Sequence, residues 1–266
     1  CDIENNLPKP SYSIDTLKAL KKIHPDAKFS WLIGSDQIKD LNKWKDFKTL
    51  NKLVQFIVYE REGYEEAHPY PVVKGSKINV SSTEIREGKS YLTKPEILNY
   101  MMHENLYLNT LCKNSMSSYR FEHTLRVTDL AVSLGSVHHL DLKKIRLIGM
   151  CHDLCKEYDM DEMTQTMKKH YPEHLNLPKA FYHGFMASFI LKTKYHIQDK
   201  DVLDAIENHV GGTSYNPYAM ILFIADKCEP GRVYDASHLI ELTKQDLEKG
   251  FMAVKKENEA YLKEHL

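Results

Sequence analysis

The chain has 266 residues, 42% of them apolar and 27% charged, with a formal net charge of -1, which is length and apolar content for two domains of ordinary core size. The balanced charge, without a basic arm or polybasic cluster, argues against nucleic acid or an anionic membrane as partner, and no run of about 18 apolar residues is present to cross a bilayer. The polar start, CDIENNLPKP, shows no signal-peptide pattern and opens on Cys1 rather than Met, so it reads as a fragment or a processed start, and five scattered cysteines fit a reduced, cytoplasmic setting.

Residues 1–108 alternate helix and strand. Ser13 to Lys22 predicts a helix with Ile14, Leu17 and Leu20 on one side. FSWLIG (Phe29 to Gly34) predicts a buried strand, Asp36 to Trp44 a helix, and LVQFIVY (Leu53 to Tyr59) a second buried strand. A polar loop follows from Glu60 to Pro71, then a third strand at Lys77 to Val80, a helix opened by Ser82, and another over Pro95 to Tyr107. This alternation predicts a parallel sheet with crossover helices. Residues 109–118, NTLCKNSMSS, read as a polar linker, and residues 119–266 show successive helical stripes without strands. The expected architecture is a partial Rossmann-like α/β segment over 1–108, followed by an all-α domain over 119–266 with a charged helical tail.

In the helical half, chemistry-bearing residues fall on apolar stripes. His123 aligns with Val127, Leu130, Ala131 and Leu134; His152, beside Asp153, aligns with Ile145, Ile148 and Cys155. His183 aligns with Met186, Ala187 and Ile190, and His209 with Val202, Ala205 and Ile206 before Gly211 and Gly212 stop the helix. Asn216 caps a helix with Pro217 in its first turn, and Asp226 aligns with Ala219, Leu222 and Phe223. One inward histidine is commonly a hydrogen-bonded core residue. Inward carboxylates need partners or metal, and four histidines with two aspartates match the demand of a two-metal site. Cys151 and Cys155 have no second cysteine pair at zinc-site spacing and read as core fillers.

The order H, HD, H, H, D, with RFEH at Arg120 to His123, His183-Gly184, NHVGG at Asn208 to Gly212 and IADKCEPGRVYD at Ile224 to Asp235, resembles the HD-domain phosphohydrolases. Within them it resembles the bacterial enzymes that split diadenosine tetraphosphate symmetrically into two ADP. The resemblance implies one metal held by His123, His152, Asp153 and Asp226, and a second that shares Asp153 and adds His183 and His209. It implies two divalent ions, iron by family habit, while the ligand chemistry also admits manganese, cobalt, nickel or zinc. Lys156, on the face of Asp153, and Arg232, in the EPGR turn, are the candidate contacts to a polyphosphate substrate. For Glu229 and Arg232 a structural ion pair competes with substrate contact.

The first half carries a second resemblance. SYSIDTLKAL, the GSD segment with Asp36 and Trp44, VYEREG around Arg61, INVSSTEIR and KPEILNYMMHENLY are similar to the later part of nicotinate mononucleotide adenylyltransferases of NAD biosynthesis. The resemblance implies that Trp44 stacks near the nicotinate ring and that Ser82, Thr83 and Arg86 hold ATP phosphates. The opening strand and G-x-F-x-P-x-H-x-G-H loop of that family are absent from these residues, so adenylate transfer is expected only of a longer parent chain. Two alternatives stand beside the tetraphosphate hydrolase: an HD enzyme for another nucleotide (a nucleoside monophosphate, a dNTP or a guanosine polyphosphate) and a non-catalytic nucleotide sensor. For the tail, Leu242, Leu247, Phe251, Val254 and Tyr261 make an apolar side, suited to packing on the core or to a homodimer.

Overall fold

The structure is a computed structural model in which residues 2–64, 66–75, 80–232 and 234–265 are described. It divides into two compact units, residues 1–79 and 80–266. The first unit is α/β. After a 3-10 turn at Ile3–Asn6 come α1 (Ser13–Ile23), β1 (Phe29–Gly34), a 3-10 segment (Ser35–Lys43), α2 (Phe47–Leu53), β2 (Val54–Tyr59) and β3 (Val72–Val73). The strands form one parallel sheet in the order β1-β2-β3, with Phe29 opposite Val54 and Val58 opposite Val72. Ile14 and Leu17 of α1 and Leu50 of α2 join Ile33, Phe56 and Val58 in a small core.

Several expectations change here. The third described strand is Val72–Val73, just after the segment read as loop, where two β-branched residues continue the parallel ladder beside β2; of the strand expected at Lys77 to Val80, Lys77 to Asn79 lie outside the described residues. The helix expected over Asp36 to Trp44 is a 3-10 helix over Ser35–Lys43, and Trp44 is already extended. Neither long strand is buried on both faces: β2 alternates, with Gln55 exposed, and Leu32 of β1 is 60% exposed. A short apolar run does not reveal how many faces are covered.

The second unit is helical throughout its described length: α3 (Ser82–Arg86), α4 (Pro95–His103), α5 (Leu108–Ser115), α6 (Ser118–Val137), α7 (Leu142–Cys151), α8 (Met160–His170), α9 (Tyr182–Thr193), α10 (Lys200–Asn208), α11 (Pro217–Cys228), α12 (Ser237–Gln245) and α13 (Leu247–His265), with 3-10 turns at Pro172–His174 and Lys179–Phe181. The expected linker at 109–118 is mostly α5. Leu108, Leu111 and Cys112 are buried on one side of it, and helical burial overrides the polar composition. Tyr107, at positive φ (59°), starts this helix, so the one expected over Pro95 to Tyr107 ends at His103.

Helix starts are marked by side-chain caps. Ser117, Asp141, Asp159, Asp199 and Asn216 accept from backbone N–H groups at the starts of α6, α7, α8, α10 and α11. α6 packs on α7 and α11, α10 on α9 and α11, and α13 on α11 and α12. The tail therefore joins the core: Leu239, Phe251 and Val254 are buried, with the Phe251 ring 5.4 Å from that of Phe223. Cys112, Cys151, Cys155 and Cys228 are free and buried. No described helix is long and apolar enough to cross a membrane.

Candidate metal centre

The helices bring His123, His152, Asp153, His183, His209 and Asp226 into one buried cluster. His123 lies on the buried stripe of α6 with Val127, Ala131 and Leu134. His152 and Asp153 follow the last residue of α7, His209 caps α10 at its C-terminus, His183 opens α9 and Asp226 lies in the last turn of α11. Two close approaches allow this convergence. A Cβ on Gly149 would stand 2.9 Å from Cα of Thr128, and one on Gly184 would stand 2.7 Å from the Ile206 carbonyl and 3.3 Å from the His209 ring.

Asp153 stands between two pairs of imidazoles. Its Oδ1 is 3.1 Å from His183 Nε2 and 3.7 Å from His209 Nε2; its Oδ2 is 3.8 Å from His123 Nε2 and 3.6 Å from His152 Nε2. Asp226 Oδ1 lies 3.2 Å from His123 Nε2. The donor atoms form two groups, His123 with His152 and Asp226, and Asp153 with His183 and His209.

The outer ring nitrogens settle the tautomers. Nδ1 of His152 lies 2.7 Å from the Gly149 carbonyl, and Nδ1 of His209 lies 2.7 Å from the Ile206 carbonyl. A carbonyl only accepts, so each Nδ1 donates and each Nε2 presents its lone pair to the cluster. Nδ1 of His123 faces the Glu229 carboxylate at 3.1 Å with the same consequence. His152 Nε2 is buried without a hydrogen-bond partner, and the Nε2 atoms of His183 and His209 face each other at 3.1 Å. The inward lone pairs of His123, His152 and His209, beside two carboxylates, match the donor set of a divalent cation.

Electrostatics agree with this donor set. Burial pushes the His152 and His183 imidazoles down to about 4, so both are neutral near pH 7. Burial opposes ionisation of Asp153 and Asp226, but the imidazoles around Asp153, and Lys227 with His123 beside Asp226, hold both carboxyls well below the usual range. Neutral imidazoles and ionised carboxylates are the metal-binding forms.

Cations surround the carboxylates. Arg120 Nη1 is 2.8 Å from Asp153 Oδ2, and Lys227 Nζ is 2.7 Å from Asp226 Oδ2. Lys156 Nζ is 3.5 Å from His183 Nδ1, and burial pushes its amine below the usual lysine range. Arg232 donates to the backbone carbonyl of Asp226 at 2.6 Å and to its carboxylate at 3.0 Å. Both expected phosphate contacts thus lie at the cluster, with Arg232 already engaged by α11. Sequence reading missed Lys227 and Arg126; the signal for Arg126 was a cation one turn beyond His123.

The N-terminal candidates are not members of this cluster. Trp44, in the first unit, packs edge-on against Trp31 and Phe56 at 6.4 Å each. Ser82 and Thr83, in the second unit, are exposed at the start of α3, where Ser81 makes the cap to the Glu84 N–H. Arg86 bonds Thr83 Oγ1 at 3.3 Å and lies 5.5 Å over the Tyr107 ring.

Comparison with known proteins agrees with both halves. The HD domain model matches residues 120–231, and the cytidylyltransferase-like model matches residues 2–88. A Mycoplasma genitalium protein named probable nicotinate-nucleotide adenylyltransferase/Ap4A hydrolase is 30% identical over 92% of this chain and 74% of its own length. The symmetrical bis(5'-nucleosyl)-tetraphosphatase of Staphylococcus aureus is 33% identical over 46% of this chain and 64% of its own. The crystal structure of a predicted HD superfamily hydrolase involved in NAD metabolism from Clostridium acetobutylicum covers 64% of this chain and 87% of its own, at 26% identity and a TM-score of 0.53. With a cytidylyltransferase-like part, an HD domain and a relative aligned over 92% of this chain, the chain belongs to the nicotinate-nucleotide adenylyltransferase/Ap4A hydrolase family.

Proposed function

We propose that the HD domain hydrolyses diadenosine tetraphosphate (Ap4A) with one water to two ADP, using two divalent metal ions. The observation that carries this is Asp153, with one oxygen toward His183 and His209 and the other toward His123 and His152. His123, His152 and Asp226 would hold one ion, His183 and His209 the other, with Asp153 shared between them. Bound there, the ions supply activation of water near neutral pH and neutralisation of phosphate charge. Iron is the expected metal, and manganese, cobalt, nickel and zinc suit the same ligands.

The chain's own residues bind and orient the substrate. Lys156, beside His183, is placed to contact a phosphoryl oxygen. Arg232 holds the backbone of Asp226 and keeps that carboxylate directed at His123 while offering charge to the polyphosphate. In the adenylyltransferase-like part, residues 1–108, we assign Trp44 to the nicotinate ring and Ser82, Thr83 and Arg86 to ATP phosphates, on the family resemblance.

Anaerobic purification with metal analysis, coupled to product analysis on Ap4A, tests the proposal. About two ions per chain and ADP as sole product is the expected result. Formation of ATP with AMP would overturn symmetrical cleavage. Metal without turnover of Ap4A would transfer the site to another nucleotide, and a chain without metal or turnover after iron and manganese supplementation would exclude catalysis.

A further inference from the structure

We infer that Glu229 is a positioning residue that makes the two ion sites unequal, an inference that rests on the two-metal reading above. His152 and His209 both direct Nδ1 to a backbone carbonyl three residues earlier, at 2.7 Å. His183 directs Nδ1 toward Lys156. His123 instead faces a carboxylate, Glu229 Oε1, at 3.1 Å. A neutral carbonyl fixes the tautomer. An anion also draws the Nδ1 proton and strengthens the opposite nitrogen as a donor. This strengthening falls on the group of His123, His152 and Asp226 and not on the group of Asp153, His183 and His209.

Glu229 is itself held in place. It is 3% exposed, and its Oε2 accepts from Arg126 Nε at 2.6 Å and from the Gly231 N–H at 2.5 Å. A second Arg126 nitrogen, Nη2, reaches Oε1 at 3.4 Å. Arg126 lies one turn beyond His123 on α6, so one helix presents both the ligand and the clamp on the ligand's partner. Gly231 leaves room for that clamp, since a Cβ there would stand 2.5 Å from Arg126 Nε and 2.6 Å from Nη2 and the guanidinium would have to shift. The EPGR segment thus reaches the centre through His123, 106 residues from Glu229 in sequence.

Cobalt(II) titration of the metal-stripped full chain, followed by visible absorbance and by metal content after desalting, tests this. The wild-type chain is expected to take two ions of unequal affinity. Glu229→Gln, nearly isosteric, is expected to weaken one ion by about 10- to 100-fold and leave the other within about twofold. The metal-free melting temperature should stay within about 2 °C of wild type. Arg126→Gln, at a partly exposed side chain that touches no ligand, should weaken the same ion to a smaller extent, and it decides the matter on the same criterion if Glu229→Gln does not fold. Two unchanged affinities in Glu229→Gln would overturn the inference and leave the two-metal reading standing. Equal weakening of both ions with a lowered metal-free melting temperature would assign Glu229 to the fold and also overturn it. A wild-type chain that takes no cobalt would remove the two-metal reading, and the inference with it.

Discussion

Asp153 offers one oxygen to each pair of imidazoles and also accepts from Arg120, so its replacement acts on both ion sites at once. Asp153→Asn is expected to bind fewer than two ions and to lose at least about 100-fold in Ap4A hydrolysis. A variant with full metal content and near wild-type turnover would remove Asp153 from its central place. Lys156 is a different case, because it touches the ring nitrogen of His183 remote from the cluster. Lys156→Gln should keep both ions and lower kcat/KM about 10- to 100-fold, or about 1.4–2.8 kcal/mol of transition-state stabilisation. Retained kcat/KM would leave Lys156 as a half-buried structural lysine.

Helices and the turns that directly end them carry the candidate ligands, so the separation of the helices matters as much as the side chains. α9 meets α10 at Gly184, where a methyl group would press on the Ile206 carbonyl and the His209 ring. Gly184→Ala is expected to destabilise the helical unit by about 1–3 kcal/mol and to weaken metal binding, measured by denaturant melts and metal content; unchanged values for both would show that the helices can part without loss. α7 and α10 are fastened by Lys144, whose Nζ is 2.9 Å from both Asp199 and Asp201. Hydrogen bonds from Lys144 and then Asn216 hold the Asp201 carboxyl below its usual range. A depressed folded value means stabilisation present above the unfolded carboxyl value and lost as pH falls through the folded one. Lys144→Met should therefore lower stability by about 1 kcal/mol near pH 7, with the difference from wild type shrinking below about pH 4. A difference independent of pH would refute the electrostatic origin.

At the scale of the whole molecule the two units have separate cores, and the candidate ligands all belong to residues 80–266. A ligand that binds only the folded form stabilises it by mass action, about 4 kcal/mol at a thousandfold excess over Kd. Chelation should therefore lower the melting of the helical unit and leave the α/β unit in place, giving two calorimetric transitions of which one moves. A single transition indifferent to chelator would contradict both the independence of the units and the metal centre.

Helical phase is a local property, so the inward placement of His123, His152, His183, His209 and Asp226 was legible before any fold was known: an apolar residue one turn away states which way each side chain points. The caps at Ser117 and Asn216 were not equally legible, and only Asn216 was anticipated. Burial on one face or two was not legible at all, which is why β1 and β2 were read as fully buried and α5 as a linker; coverage depends on elements distant in sequence. The residue types and their phase thus determined which histidines and carboxylates turn inward as candidate metal ligands. The tertiary structure decided that Asp153 lies between the imidazole pairs and that Glu229 and Arg126 back His123, because contacts across about a hundred residues arise from helix packing and leave no periodic trace in the chain.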